Sequence, residues 1–577
     1  MKAFLSFFLV IILSLQLSPA QDFKALINGT LINTKDKLVI EKASVLIKGN
    51  KIVAAGESKK IKIPPEAQVI DISGKYIIPG MIDGHIHFFQ SGGLYTRPDA
   101  IDLRERRPYM QELNWILDNI EDVFKRYTAC GVTGIVDLGG PFWNFDIREL
   151  ARKTDYAPNV FTCGPLIASY QPEALTTNDP PIIKVKTVDE ALALVNRQIE
   201  KKADYIKIWY VVGRKDAASV DEFFPIAKAI ADEAHKNNLP CYIHAMELET
   251  AKKAVLAGAD VLAHTLRDKA ADEEFVKLCK KNNVSFIPTL WVLNSYNAAF
   301  TKQLELLPEE HLLANTEVTK SLYSMYEVEE DELGERQKKL LAEMKPIVPD
   351  SCGMLTTKIM QDAGINVVVG TDAGNIGVVH GPAIYHDFLL MSKAGISNFD
   401  ILKDATWNAA KMLRKDKEFG FIGKDYLADI VVLNSNPLTD IMNTSDINFV
   451  MKGGKIFKQE DLIQYSPNDL ATIQLNAYNS RNLEAFLKCY SQDVEVYSHP
   501  DSLIYKGLEN MRTVYDKFFK NNKTVHCQLL NRINNGNYII DHELITGSKN
   551  GVFEAVAMYE VGARKIKKVW FLPKVTH

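Results

Sequence analysis

The chain has 577 residues, of which 46% are hydrophobic and 24% are charged, and its formal net charge is −4. This length exceeds what one ordinary hydrophobic core holds, so we expect two or three domains. The slightly negative charge and the lack of long basic runs in the sequence argue against a nucleic-acid partner.

The first twenty residues differ from the rest of the chain. Lys2 precedes the apolar run AFLSFFLVIILSLQL, and small residues stand at Ser18 and Ala20. This order is typical of a secretory signal peptide over residues 1–20. The alternative is an uncleaved anchor helix, although the apolar run is short for a membrane span. We therefore expect a secreted or periplasmic protein with no stable membrane insertion after signal removal.

Two β-rich segments flank a long central region of different character. Residues 21–80 alternate apolar residues with Gly, Asn and Asp turns, which predicts the first part of a small β-sandwich, and residues 420–462 read as its second part. In residues 81–419, eight short apolar runs alternate with helical segments: MIDGHIH, VTGIVDLGG, NVFTCG, DYIKIWYV, PCYIHA, ADVLAHT, VSFIPTL and INVVVGTDAG. Such alternation indicates an α/β fold with a parallel sheet, and eight units favour a (β/α)₈ TIM barrel.

Two further segments complete the predicted organisation. Residues 301–348 are charged and mostly helical and follow the seventh predicted strand. They form either a lid or substrate wall over the active face of the barrel or a solvated helical pair, and the sequence leaves both open. Residues 466–577 begin with a helix and end in long strands, which indicates a separate α+β domain.

Two histidines lie one residue apart in the first predicted barrel strand. His85 and His87 occur in PGMIDGHIHF, and residues i and i+2 of a strand point to the same face. Two imidazoles on one face suit a metal such as zinc, but a hydrogen-bonded pair without a metal fits equally well. Cysteine ligands are not indicated, because the seven cysteines are scattered and form no C-x-x-C pair.

Residues with metal-ligand side chains also stand near the ends of later predicted strands. Each alone has a structural explanation, as an ion pair, a core histidine or a helix N-cap. Together they converge on one end of one barrel, where barrel enzymes hold their sites. Six such residues suit a two-metal site, in which carbon dioxide would convert the lysine into an anionic carbamate. The four residues that join the first two histidines are Lys207, His244, His264 and Asp372.

Several motifs together resemble the amidohydrolase superfamily, in its binuclear prolidase-like and imidazolonepropionase-like branch. The likeness runs from about Lys24 to Lys458 and rests on PGMIDGHIH, YIKIW, YIHA, LAHT, GTDAG, ATWNAAKML and GKDYLADIVVLNSNPL. The resemblance implies two divalent metal ions, most often zinc, and a hydroxide that bridges them. It also implies that Asp372 acts as general base and then general acid.

The resemblance further assigns ligands to each metal. It implies a more buried metal on His85, His87 and Asp372, a more exposed metal on His244 and His264, and a bridging carbamate on Lys207. Five residues are candidate substrate contacts, although a structural role fits each of them as well: Tyr210, Arg214, Arg267, His380 and His386.

The C-terminal segment resembles the SnoaL-like, nuclear-transport-factor-like α+β cone. Such cones enclose a pocket or mediate dimers, so the sequence leaves a homo-oligomer open. The whole chain is thus expected to be a secreted amidohydrolase that cleaves a C–N bond of a small-molecule substrate, a dipeptide or an N-acyl amino acid. The alternatives are a hydrolase of cyclic amides or imidazolone-type rings, and an inactive ligand-binding protein that acts through the C-terminal domain.

Overall fold

The computed structural model describes residues 23–214, 217–343 and 351–572, and the signal peptide expected over residues 1–20 lies outside them. The described chain opens with strands β1 (Phe23–Asn33), β2 (Leu38–Lys48), β3 (Lys51–Glu57), β4 (Gln68–Asp71) and β5 (Tyr76–Pro79). β1, β2 and β3 pair antiparallel in chain order, whereas β4 and β5 run parallel to β1.

Parallel strands follow, and each of the eight predicted apolar runs contains one. They are β6 (Met81–Ile86), β7 (Val132–Asp137), β8 (Asn159–Thr162), β9 (Leu166–Ala168), β10 (Ile182–Lys184), β11 (Ile206–Trp209), β12 (Cys241–His244), β13 (Val261–Ala263), β14 (Ser285–Ile287) and β15 (Asn366–Val367). They form two sheets, with the orders β6-β7-β8 and β10-β9-β11-β12-β13-β14-β15. The short strands β9 and β10 were not predicted.

Backbone hydrogen bonds connect these two sheets at both edges. Asp204 N donates to Thr162 O at 3.0 Å, which joins β8 to β11. On the other side, the segment after β15 lies against β6, because Gly84 N donates to Val369 O at 2.8 Å. This is the arrangement expected of a (β/α)₈ barrel.

Helices cover the outside of the parallel sheets. In the helix over residues 220–236, Phe223, Ala227, Ile230 and Ala234 are all fully buried and recur every three or four residues, so one face packs inward. The helices are α1 (Tyr109–Asp118), α2 (Ile120–Ala129), α3 (Asn144–Lys153), α4 (Val188–Glu200), α5 (Val220–Lys236), α6 (Leu248–Ala257), α7 (Glu273–Lys281), α8 (Val292–Phe300), α9 (Pro308–Leu313), α10 (Thr316–Tyr323), α11 (Glu335–Glu343), α12 (Ser351–Asp362), α13 (Ala383–Lys393), α14 (Asn398–Asp404) and α15 (Trp407–Met412).

Three strands after the barrel return to the N-terminal sheet. They are β16 (Ile430–Leu433), β17 (Ile447–Lys452) and β18 (Lys455–Phe457). β16 pairs antiparallel with β5, which gives the order β18-β17-β16-β5-β1-β2-β3. Apolar residues from both ends of this region share one buried cluster, including Leu26, Val45, Ile77, Val432 and Met451. The two β-rich segments therefore build one composite unit, as the sequence predicts.

The C-terminal region forms an α+β unit around a mixed sheet. The short helix α16 (Gln459–Leu462) packs against α2 and β17 and precedes this unit. The elements of the unit are α17 (Pro467–Asn479), α18 (Leu483–Lys488), β19 (Tyr490–Ser498), β20 (Ser502–Lys506), α19 (Leu508–Asn521), β21 (His526–Asn535), β22 (Tyr538–Ser548), β23 (Gly551–Val561) and β24 (Ile566–Phe571). The strand order is β20-β19-β24-β23-β22-β21. Among the described helices of the whole chain, none has the length and apolar character needed to cross a membrane.

The insertion over residues 301–348 packs against both the barrel and the C-terminal unit. On the C-terminal side, Ser480 Oγ and His311 Nε2 lie 3.0 Å apart in a buried contact. On the barrel side, Arg126 Nη1 donates to two backbone carbonyls at the end of α9, at 2.9 and 2.7 Å. Residues 344–348 lie outside the described part. The segment around α9 is thus packed between the barrel and the C-terminal unit, whereas residues 329–332 of the same insertion are exposed.

A buried ion pair lies in the C-terminal sheet between β21 and β22. Arg532 donates from Nε and Nη2 to the two carboxylate oxygens of Asp541, both at 2.6 Å. The side chains of Arg532 and Asp541 are 8% and 0% exposed. Glu543 lies close by, where burial and the Asp541 charge raise its pKa to about 8. The buried negative charge of Asp541 is thus compensated by the positive charge of Arg532.

We expect Arg532→Met to destabilise the C-terminal unit strongly. Removing one partner of a buried pair leaves an uncompensated charge, which costs about 3–5 kcal/mol of the free energy of unfolding. Urea unfolding of the full chain, followed by circular dichroism, measures this loss. The control is Arg512→Met, because Arg512 pairs with Glu484 on the surface, where the side chains are 37% and 56% exposed, and such pairs contribute about 0–1 kcal/mol. Equal losses in both variants would contradict the argument.

Candidate metal centre

His85 lies on β6 and His87 directly follows it, and both side chains are buried. Their exposed fractions are 1% and 7%. Alternation along the strand places Asp83, His85 and His87 on one face, towards the inside of the barrel. The segment after β15 comes close to His85, which explains why a glycine stands at position 370. A Cβ atom on Gly370 would lie 2.9 Å from both N and Cβ of His85, so only glycine fits there.

The segment after β15 brings Asp372 against the two histidines. Asp372 N donates to His85 O at 2.7 Å, and His87 N donates to Ala373 O at 2.8 Å. These bonds hold the backbone of Asp372 beside β6. The carboxylate of Asp372 therefore faces both imidazoles.

Three potential ligand atoms lie at metal-site spacing. His85 Nε2 and His87 Nε2 are 3.4 Å apart, and Asp372 Oδ1 lies 3.3 Å from His85 Nε2 and 3.2 Å from His87 Nε2. Zinc bonds of about 2.0–2.1 Å at the tetrahedral angle place ligand atoms about 3.3–3.4 Å apart. The three side chains therefore fit a divalent cation, and they are the candidate metal-binding group among the described residues.

A second pair of histidines adjoins this group. The His264 ring lies 4.7 Å from the His85 ring and 4.3 Å from the His244 ring, measured between ring centroids. His264 is buried, whereas His244 is partly exposed. The four imidazoles thus form a continuous group that runs from the interior towards solvent.

Lys207 on β11 is the unusual member of the group. Its side chain is 1% exposed, and its Nζ has no hydrogen-bond partner among the described residues. Burial lowers the pKa of Lys207 to about 8. Burying an amine without a hydrogen-bond partner is costly, so this position suits a lysine whose amine carries an added group.

Hydrogen bonds at Nδ1 orient two of the rings. His87 Nδ1 donates a hydrogen bond to Gly139 O at 2.7 Å, and His264 Nδ1 lies 2.8 Å from Thr289 Oγ1. In His87 the bond at Nδ1 leaves Nε2, which faces Asp372, free as a ligand. Burial, and then the charge of Lys207, hold the pKa of His85 well below its ordinary value. A neutral imidazole is the form that binds metal.

Three of the 13 non-glycine residues with positive φ in the described part of the chain lie at this group. His264 and Asp372 have φ values of +76° and +61°, and Thr289 beside His264 has +47°. A non-glycine residue in the left-handed region costs of order 1–3 kcal/mol and persists where the surroundings impose it, often at functional sites. The strain therefore supports a functional role for the group.

Asp83 is a residue of the site that the sequence analysis missed. Its carboxyl group is fully buried and accepts bonds from His85 N at 3.2 Å and Thr371 N at 3.0 Å. Burial raises its pKa to about 7. Asp83 thus connects β6 by hydrogen bonds to the segment that carries Asp372. Its place two residues before His85 in MIDGHIH was the available signal, because it puts Asp83 on the same strand face.

A family model for the amidohydrolase family matches residues 76–457, which include every residue of this group. The chain belongs to the amidohydrolase family. A second model, for the SnoaL-like domain, matches residues 473–569.

Solved structures similar to this amidohydrolase share its fold. A Xaa-Pro dipeptidase with bound methionine covers 76% of this chain and 100% of its own, with 20% identity and a TM-score of 0.58. A putative prolidase from Bifidobacterium longum covers 79% of this chain and 100% of its own, with 22% identity and a TM-score of 0.57. At these identities the likeness concerns the fold alone.

Curated relatives match this amidohydrolase only over short stretches. An adenine deaminase from Clostridium botulinum is 42% identical over 74 residues, which is 12% of each chain. An N-substituted formamide deformylase from Arthrobacter pascens is 32% identical over 80 residues, or 14% of each chain. The matched stretch therefore spans about an eighth of these relatives, and they do not fix the activity.

Two of the predicted substrate contacts in this amidohydrolase use their polar atoms within the protein. The Tyr210 hydroxyl donates to Val220 O. His380 Nδ1 lies 2.9 Å from the Tyr127 hydroxyl, and His380 Nε2 donates to Gln90 O at 2.7 Å. Both residues thus have the contacts of structural side chains.

Two other predicted contacts are paired with acidic side chains. His386 stacks on Trp291 with ring centroids 3.7 Å apart, and its Nδ1 lies 3.2 Å from Glu310 Oε2. Arg267 donates to Glu247 Oε1 at 2.6 Å, with 49% of its side chain exposed. The charge of Arg267 acts on His244, whose pKa lies well below its ordinary value, chiefly through burial and Lys207. Arg267 therefore lies on the His244 side of the group.

Proposed function

We propose that this protein is a metal-dependent hydrolase of C–N bonds in small amides, with a dipeptide or an N-acyl amino acid as its substrate class. The observation that carries the proposal is the spacing of the ligand atoms of His85, His87 and Asp372 at 3.2–3.4 Å. The adjoining histidines and the unpartnered amine of Lys207 support a second metal position. The likeness in fold to a Xaa-Pro dipeptidase and a putative prolidase favours this substrate class.

Each side chain has a role in this proposal. His85, His87 and Asp372 would hold one cation, His244 and His264 the other, and Lys207, as a carbamate, would contact both. Divalent cations held there would supply Lewis-acid chemistry, which polarises an amide carbonyl and lowers the pKa of water.

Asp372 would move the proton. Its Oδ1 faces His85 and His87, whereas its Oδ2 lies 3.8 Å from His264 Nδ1. Oδ2 would take a proton from the attacking water and deliver it to the leaving nitrogen. The pKa of Asp372 lies below its ordinary value, because the bond from His87 and the surrounding charges outweigh burial. The carboxylate is therefore ionised at neutral pH and ready to accept a proton.

The test begins with the metal content of the purified mature protein, expressed with bicarbonate present. We expect about two divalent ions per chain. We also expect hydrolysis of some members of a panel of dipeptides, N-acetyl amino acids and cyclic amides, loss of activity with a chelator, and recovery on addition of zinc. The mass of the exported chain shows whether the segment 1–20 is removed, as a proposed secreted or periplasmic protein requires.

Other outcomes point elsewhere. Hydrolysis confined to cyclic amides would replace the proposed substrate class by the second candidate. No metal after reloading, and no turnover on the panel, would contradict the proposal. Function would then be sought in ligand binding by the C-terminal SnoaL-like domain.

A further inference from the structure

An ion pair lies in the loop that follows the first barrel strand. Arg97 donates from Nε and Nη2 to the two carboxylate oxygens of Asp99, each at 2.7 Å. Their side chains are only 17% and 15% exposed. Burial opposes the charge of Asp99, but Arg97 outweighs it and keeps the pKa of Asp99 below its ordinary value. Both groups are therefore charged.

This pair is attached directly to the candidate metal centre. Arg97 Nη1 donates to Asn375 Oδ1 at 2.8 Å, and the Tyr296 hydroxyl donates to the same oxygen at 2.6 Å. Asn375 Nδ2 in turn donates to Asp372 O at 3.0 Å. The charge of Arg97 also acts on Asp372 and His244. Arg97 is thus linked to Asp372, the proposed general base, by two hydrogen bonds through Asn375.

The guanidinium of Arg97 retains free donors. Arginine has five N–H groups, and three of them are used on Asp99 and Asn375. Among the described residues, the other two have no acceptor. Because the group is mostly buried beside the site, these two N–H groups are available to an acceptor that enters with the substrate.

The positive charges of three arginine side chains near Asp99 and His244 attract an anionic group of a substrate. Arg97 and Arg267 are each paired with one carboxylate, Asp99 and Glu247. Arg214, a predicted substrate contact, adds a positive charge close enough to lower the pKa of Asp99 further. Three arginine charges therefore stand against these two carboxylates and that of Asp372 before any metal is counted.

We propose that Arg97 binds the carboxylate of the substrate, and that the enzyme therefore acts on amides whose amine part carries a free carboxylate. This inference rests on the proposed amide hydrolysis and narrows it to N-acyl amino acids and dipeptides. Asp99 holds the guanidinium in place through Nε and Nη2. A carboxylate would accept the two remaining N–H groups, as arginine donors commonly bind carboxylates.

The test compares two substrates in matched variants. The first substrate is the N-acetyl amino acid of the panel with the highest kcat/KM, and the second is the same amide with the carboxylate replaced by hydrogen. The variants are Arg97→Gln and the double variant Arg97→Gln/Asp99→Asn, which leaves no unpaired carboxylate. The control is Arg104→Gln/Asp102→Asn, because Arg104 donates to Asp102 in the same loop with the same fork but is 48% exposed.

We expect wild type and control to prefer the first substrate, the acid that carries the carboxylate, by about 100-fold or more in kcat/KM, as a charge-assisted pair allows. In both Arg97 variants this preference should shrink to within about tenfold, mainly through KM for the acid. A wild type that hydrolyses both substrates equally fast would overturn the inference. A folded double variant that loses the same factor on both substrates would also overturn it, because Arg97 would then only position Asn375 and Asp372.

A binding measurement separates this inference from the proposed reaction. Titration calorimetry with N-acetyl-L-leucine and with N-(3-methylbutyl)acetamide needs no turnover. We expect the acid to bind wild type and control at least tenfold more tightly than it binds the double variant, and the neutral amide to bind all three alike. Equal affinities for the acid in all three proteins, or none in wild type, would overturn the role of Arg97. Binding as expected without hydrolysis would instead contradict the proposed amidase reaction.

Discussion

Asp372→Asn is expected to lower kcat on the best amide of the panel by about a thousandfold, within the range of 10²–10⁴ that a positioned acid–base group contributes. The amide oxygen of asparagine still faces His85 and His87, whose Nε2 atoms lie 3.3 and 3.2 Å from Asp372 Oδ1. It cannot accept and return a proton at neutral pH. Turnover should therefore fall much more than metal content or KM.

Steady-state kinetics, metal analysis and thermal unfolding of the Asp372 variant measure these three quantities separately. The control is Asp404→Asn, because Asp404 is also buried but bonds Asn408 at 2.8 Å rather than the histidine group. We expect the control to keep kcat within about tenfold, since it removes no acid–base group from the site. A kcat within tenfold of wild type for Asp372→Asn would contradict the proposed proton transfer.

The eight barrel strands could be predicted from the sequence because each one combines an apolar run with flanking turn residues. The ends of these runs also placed Lys207, His244 and His264 at one edge. The structure agrees with the strands, and it adds β9 in the stretch GPLIASYQPEAL and β10 directly after TTNDPP, where proline and glycine obscure a strand pattern. Local periodicity is thus enough to predict the barrel architecture, but it does not predict every strand.

The contacts that complete the site were beyond local sequence patterns. Arg97 lies in a loop without periodicity, and its partner Asn375 is 278 residues away in the chain. His311 and Ser480, which join the insertion to the C-terminal unit, are 169 residues apart. Such pairs depend on how distant loops meet in the folded chain. Side-chain hydrogen bonds of this kind leave no regular spacing that a single sequence displays.

Lys207→Ala is expected to lower the metal content from about two ions per chain to one or fewer, and kcat/KM by at least a hundredfold. The lysine Nζ is buried without a hydrogen-bond partner among the described residues. As a carbamate it would add a negative charge amid four imidazoles and one carboxylate. Without that charge, two divalent cations would face a single anion in a buried site, which is costly.

Metal analysis of the Lys207 variant, followed by assays with added formate, acetate or propionate, distinguishes a lost carbamate from a lost lysine. A short carboxylate can enter the space that alanine leaves and restore part of both the metal content and the rate. The control is Lys452→Ala, since Lys452 is 9% exposed and pairs with Asp429 at 3.3 Å, far along the chain from the histidines. That variant loses a buried lysine and stability, but its metal content should stay at the wild-type value. Full metal loading of the Lys207 variant would contradict the carbamate, whereas metal loss in both variants would show that destabilisation alone empties the site.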